Sequence, residues 1–327
     1  MCIRDRLYFA SHAAGGGAGG AGGAGDGGVD LAALMAKGAA LLAVGYKKLA
    51  SFESEGGGFE WFGASPGHEA LTAYGVLQFR DMAEAAPALV DARMVERTTE
   101  WLLGRRASRQ PPADGGDARA FARNPRSLDT FGAAPALVTD AYIVHALVAA
   151  GLGGRLAPEV AHLRATVAPR EFDDPYVLAL VAGTLYRLAA LGDGGEDAAA
   201  LRAEARALAE RAAARQRAAD GAVAGAATSI TSSSGASLDA EATAVCVLAW
   251  LEEPAFFAPR VEAAMVWLAA RCPRFGSTQA TVLALKAIIA YDKYRASAAP
   301  EGVLVLRVDG AEAVSYTHLT LPTILLV

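Results

Sequence analysis

Two kinds of helical segment alternate along this chain. One kind is apolar nearly all round and rich in small residues: ALTAYGVLQF (70–79), DAYIVHALVAAG (140–151), DPYVLALVAGTLYRLAAL (174–191), EATAVCVLAWL (241–251) and TQATVLALKAIIAY (278–291). A helix that is apolar on most faces must be buried on most faces. The other kind is amphipathic and charged: DARMVERTTEWLLGRR (91–106), APEVAHLRATV (157–167), EDAAALRAEARALAERAAARQRAA (196–219) and PRVEAAMVWLAARC (259–272). Such a helix keeps one face in water. Inner and outer helices in alternation make a two-layered array of hairpins, with a repeat of roughly 35 residues. An open array exposes its ends. Closing it into a ring of six hairpins removes them, so the expected fold is all-α, an α/α toroid of the terpenoid cyclase and prenyltransferase kind.

Composition agrees with helices. Hydrophobic residues make up 53% of the 327, aromatic ones only 7%, and Ala is the commonest residue. Ala is the best helix former. The periodicity predicts helices over about 31–51, 67–85, 90–106, 135–151, 156–167, 174–191, 196–218, 238–252, 259–271 and 277–296. Residues 302–310, GVLVLRVDG, alternate apolar and polar and read as a strand. Long Gly- or Pro-rich loops separate the hairpins at 52–66, 107–134 and 222–236. Residues 15–28, GGGAGGAGGAGDGG, read as a flexible loop. They lack the strand before and the GK[ST] after that a phosphate-cradling loop needs.

Both ends break from this style. MCIRDR (1–6) and SYTHLTLPTILLV (315–327) read as translated adapter sequence foreign to the fold. Cys2 and His318 therefore carry no functional weight.

The three cysteines, Cys2, Cys246 and Cys272, form no CxxC pair and indicate neither a disulfide framework nor a zinc site. Cys246 and Cys272 read as small core residues. His68, His145 and His162 have no metal-ligand spacing; His68 reads as a cap or surface residue and His145 as a hydrogen-bonded core residue. A net charge of −5 and the lack of a basic stripe argue against nucleic acid or an anionic membrane as the main partner. No run of about 20 apolar residues is present to cross a membrane.

Several strings, in order, resemble one family. They are GYKKLASFESEGGGFEWFG (45–63), GHEALTAYGVLQF (67–79), NPRSLDTFG with VTDAYIVHAL (124–147), DAEATAVCVLAWL (239–251), in which Glu241 and Thr243 open a helix, and RFGSTQATVLALKAIIAY (274–291). Together they resemble the thioester domain of the alpha-2-macroglobulin and complement family. The resemblance places that domain at 7–298 and makes 302–314 the start of a following β domain. It implies a covalent trap rather than an enzyme: a Cys–Gln thioester kept dry until a target nucleophile attacks it. No cysteine here sits in the family's Cys-Gly-Glu-Gln-like motif, which is expected upstream of Leu7, the chain being a fragment. The complement branch carries a histidine in the loop matching Arg126-Ser127-Leu128-Asp129-Thr130. None stands here, so the resemblance favours direct attack by amines, with Asp129 and Thr130 near the thioester. It also implies proteases and neighbouring macroglobulin-type β domains as partners, no cofactor, and an extracellular, periplasmic or cell-surface location.

Two other readings remain open. One is a complement-like surface-tagging protein. The other is an enzyme on the same toroid, a terpene cyclase or a prenyltransferase; EFDDPY (171–176) does not fit the cyclases' acidic motif. Asp173 and Asp174 read as helix caps. Glu69, Asp140, Glu241 and Gln279 fall near inner-helix starts. They read as caps or, more sharply, as a polar rim beside the thioester. Trp61 and Phe62 read either as loop packing or as an aromatic shield.

Overall fold

The structure is a computed structural model and describes residues 31–107, 120–124, 134–192 and 197–298, with the backbone of 304–308 and 311–316. Among these are ten α-helices: α1 (Leu31–Ala50), α2 (Glu69–Ala85), α3 (Ala92–Leu103), α4 (Ala136–Ala149), α5 (Ala157–Val167), α6 (Pro175–Leu191), α7 (Ala198–Ala213), α8 (Gly235–Trp250), α9 (Pro254–Ala269) and α10 (Thr278–Ala298). The Gly/Ala run 15–28 and the string 1–6 lie outside the described residues.

The even-numbered helices form the inner layer. Each packs on the next, α2 on α4, α4 on α6, α6 on α8 and α8 on α10. The first and last then meet through ion pairs, Lys286–Asp81 at 2.8 Å and Lys293–Glu84 at 3.3 Å. These pairs link the two ends of the inner layer, where α2 and α10 do not pack on each other as the other inner neighbours do. Helices α3, α5, α7 and α9 lie outside it, and α1 leans on α2. The alternation read from the sequence is thus an alternation of layers.

Small side chains let the inner helices approach closely. Ala73, Ala146, Ala182, Ala242, Ala244, Ala280, Ala284 and Ala287 are all fully buried. Larger residues fill the gaps between layers. Trp250 is fully buried, stacks on Phe257 with ring centroids 6.1 Å apart, and donates from Nε1 to the Ala209 carbonyl at 3.1 Å. That side chain joins α8 to α7 and to α9. Cys246 is fully buried, with Sγ 3.7 Å from the Pro175 carbonyl, and burial pushes its thiol pKa up. A protonated, enclosed thiol is a core residue.

Several helix boundaries differ from those predicted by two or more residues, and three of the differences have a clear physical reason. Helix α9 begins at Pro254, five residues early, and carries Pro259 inside it. Pro259 cannot donate to the Ala255 carbonyl, which lies on the exposed side. Burial of Phe257 against Trp250 holds this first turn helical. Helix α7 ends at Ala213 instead of 218, because Gln216 pairs with Val223 and Arg217 is caught by Asp220 and Asp239. Its arginines are not recorded in i, i+4 ion pairs among the described residues. Arg206 reaches Glu253 and Arg211 reaches carbonyls of 167–172. Helix α8 starts at Gly235, which places Glu241 in its second turn rather than at its opening.

Downstream, Leu304–Val308 and Ala311–Tyr316 pair as an antiparallel hairpin. Ser315 and Tyr316, expected to be foreign, lie in its second strand. Residues 317–327 lie outside the described residues.

His145 sits half-buried within α4, with Nδ1 3.4 Å from the Thr184 hydroxyl. A Cβ on Gly183 would lie 3.3 Å from its ring. Burial, helped by Lys286 and Arg80, lowers its pKa from 6.5 to about 4. Between those values the unfolded chain holds the proton and the native one does not, so stability rises with pH. We expect the folded state to gain up to about 3 kcal/mol from pH 4 to 6.5. Urea denaturation across that range measures it, and His145→Gln flattens the slope.

Candidate functional site

The inner helices run in one direction, so their N-termini share one rim of the ring. Every loop that climbs from an outer helix to an inner one crosses this rim. Three of these loops use the same device. A single antiparallel bridge forms, Glu53 with Phe59, Arg106 with Phe121 and Gln216 with Val223. A side chain of the next inner helix then accepts the backbone N–H of the second bridge residue. Phe59 N–H donates to Thr72 Oγ1 at 2.8 Å, Phe121 N–H to Asp140 Oδ1 at 3.3 Å, and Val223 N–H to Thr243 Oγ1 at 2.9 Å. Ala120 N–H adds a bond to Asp140 Oδ2 at 2.7 Å. A fourth loop uses a hydroxyl, with Ser277 N–H donating to Ser237 Oγ at 3.1 Å.

Glu69 extends this tethering. Its carboxylate accepts from Arg105 at 2.7 and 2.8 Å and from Asn124 N–H at 2.7 Å. The Asn124 amide in turn donates to the Pro66 and Gly67 carbonyls, each at 3.0 Å. Asp140 and Glu69 thereby fix the two ends of the segment 120–124. The stretch matching the complement histidine, Arg126 to Thr130, begins two residues further along the sequence. Asp129 and Thr130 lie outside the described residues.

Glu69, Asp140, Glu241 and Gln279 do not cap their own helices. His68 caps α2 instead: it is buried, and Nδ1 accepts the Leu71 N–H at 3.3 Å. That bond assigns the ring proton to Nε2. Burial first, opposed by Glu69, lowers its pKa. Asp174 does cap α6, accepting from Tyr176 and Val177 N–H, and also takes Ala227 N–H at 2.9 Å. Asp173 pairs with Arg215.

Glu241 is fully buried. Its Oε1 accepts from Ser233 Oγ at 2.5 Å and Ser277 Oγ at 3.0 Å, with Thr231 at 3.3 Å. It joins the loop before α8 to the start of α10. Gln279 is buried in the first turn of α10, and its Oε1 has no hydrogen-bond partner.

The aromatic loop divides. Glu60 accepts Phe62 and Ala64 N–H at 2.8 and 3.1 Å and holds a tight turn. Trp61 is half-buried while Phe62 is 74% exposed, so Phe62 neither packs on the ring nor covers it. Gly57 and Gly58, both at positive φ, lie flat on Trp101; a Cβ at Gly58 would fall 2.6 Å from that ring.

No group of three metal-ligating side chains stands among the described residues. No described helix is long and apolar enough to cross a membrane. The bridges were missed in reading the sequence. For two of them the signal is an apolar residue after a Gly- or Asp-containing turn, at Phe59 and Val223, each before an inner helix. Removing Glu69 orphans Asn124 N–H and frees Arg105. Glu69→Ala is expected to cost about 2–4 kcal/mol, and Thr243→Val about 1, by urea denaturation.

No curated protein matches this chain. The sequence profile of the A-macroglobulin TED domain matches it over residues 32–291, which spans α2 to α9 entirely and most of α1 and α10. The double-layered helical array is consistent with that domain's helical toroid. The chain belongs to the A-macroglobulin TED domain family of thioester-containing proteins.

Proposed function

We propose that this domain serves a secreted or cell-surface endopeptidase inhibitor of the alpha-macroglobulin type. In this reading the thioester's Cys–Gln pair is carried outside the described residues and lies against the rim. A lysine amine of the captured protease attacks the thioester carbonyl carbon. The C–S bond breaks, the cysteine leaves as a thiolate, the amine proton passes to it or to solvent, and an amide remains. The domain acts once and does not turn over.

Family membership across 32–291 is the observation that carries this reading. Three features support it. The rim presents backbone held from several sides, a fixed platform on which a strained acyl group can be kept dry. The stretch Arg126-Ser127-Leu128-Asp129-Thr130 contains no histidine, which favours amines over hydroxyls as nucleophiles. Asp129 and Thr130 are proposed to flank the acyl group from this loop. The hairpin at 304–316 agrees with a β domain downstream of the ring.

The test is made on the full-length protein. Methylamine is expected to release about one free thiol per chain and to add one methylamide to a glutamine, read by thiol titration and peptide mass. Radiolabelled methylamine should label the protein in preference to glycerol. Failure to release a thiol contradicts the thioester reading, and preferential labelling by glycerol favours surface tagging through hydroxyls.

A further inference from the structure

The rim loops are fastened by hydroxyls and carboxylates, but the cap of α2 is an imidazole. His68 is 2% exposed, and its Nδ1 accepts the Leu71 N–H at 3.3 Å. Only the neutral ring offers that lone pair. A proton on Nδ1 would set two N–H groups against each other and leave Leu71 without an acceptor. The opposite nitrogen gives no relief. Nε2 is enclosed and has no hydrogen-bond partner among the described residues.

The charged groups about the ring are Glu69 on α2, Arg123 in the segment 120–124 and Glu60 in the preceding turn. Glu69 is taken up by Arg105 and the Asn124 N–H, and Glu60 accepts from the Phe62 and Ala64 N–H groups. A charged imidazole therefore has no seat in the closed rim. Burial accordingly lowers the His68 pKa, although Glu69 opposes it.

The backbone around His68 ties three segments together. Its N–H donates to the Phe59 carbonyl at 2.8 Å, and its carbonyl accepts the Thr72 N–H at 2.8 Å. The Pro66 and Gly67 carbonyls, just before it, hold the Asn124 amide at 3.0 Å each. The fit has no slack, since a Cβ on Gly67 would fall 2.9 Å from both the Gly57 carbonyl oxygen and the Trp101 ring.

We propose that His68 is an acid-release latch for this part of the rim. A proton from solvent settles on Nδ1, the ring leaves the cap, and residues 66–68 part from Asn124. Val223, fastened to Thr243 on α8, stays closed because no histidine holds it. The open state takes up the proton with the ordinary imidazole value of 6.5, and the closed state only at a lower pH. Opening is therefore suppressed above that value and grows as the pH falls, by up to about tenfold at about pH 5.5. The latch needs no thioester.

Amide hydrogen exchange of the chain, corrected for intrinsic rates, is compared at pH 7.5 and 5.5. Leu71 and Asn124 are expected to lose about five- to tenfold in protection relative to Val223. His145 destabilises the whole ring over the same range, and the ratio to Val223 removes that shared part. His68→Asn and His68→Ser keep an acceptor at the cap but do not titrate here, so their ratios should stay flat. At pH 7.5 the ring nitrogen NMR shifts should place the proton on Nε2. A flat ratio in the wild type, an equal change in either variant, or a proton on Nδ1 at pH 7.5 overturns the inference. If neither variant folds, the wild-type ratio and the ring proton still decide it. None of these results bears on thiol release from the full-length protein.

Discussion

A chain that crosses the rim of a helical ring has backbone N–H groups that no helix or sheet can satisfy. The ring answers with side chains of its own inner helices. Thr72, Asp140 and Thr243 each accept the N–H of a bridge residue, and Glu69 accepts that of Asn124. A buried, unpaired amide costs about 1–3 kcal/mol, and a bond to a carboxylate contributes more than one to a hydroxyl. The polar residues on otherwise apolar helices are there because the loops must come in. They also hold the loop geometry on which any chemistry at the rim depends.

Below the rim the ring is held by fit. The alanines of the inner helices bring backbones close, and Trp250, Tyr176, Tyr186 and Phe79 fill the spaces they leave. The closure between α2 and α10 differs in kind. It runs through Lys286–Asp81 and Lys293–Glu84, the first largely shielded and the second open to solvent. Exposed pairs add little, so the shielded pair carries most of that closure.

The layering was legible in the sequence because burial on all sides leaves a direct mark: a helix with no polar face. The periods of α2, α4, α6 and α8 showed it within three residues at each end. The start of α9 was not legible, since Pro259 signals a boundary locally and Phe257 overrides it through contacts distant in sequence. The rim was half legible. Glu69, Asp140, Glu241 and Gln279 stood out as polar intruders, but capping their own helices is a local idea. The partners of the first three, Asn124, Ala120 and Ser277, lie 55, 20 and 36 residues away in the chain. Asp129 and Thr130 were chosen by resemblance alone, and no local pattern marks them.

Hydrogen exchange at single amides of the rim loops tests the tethering most directly. Phe59, Ala120, Asn124 and Val223 lie outside every helix, yet their N–H groups should exchange as slowly as those of the inner helices, opening only with the ring. Exchange at the rate of free loop amides, while α6 stays protected, contradicts it.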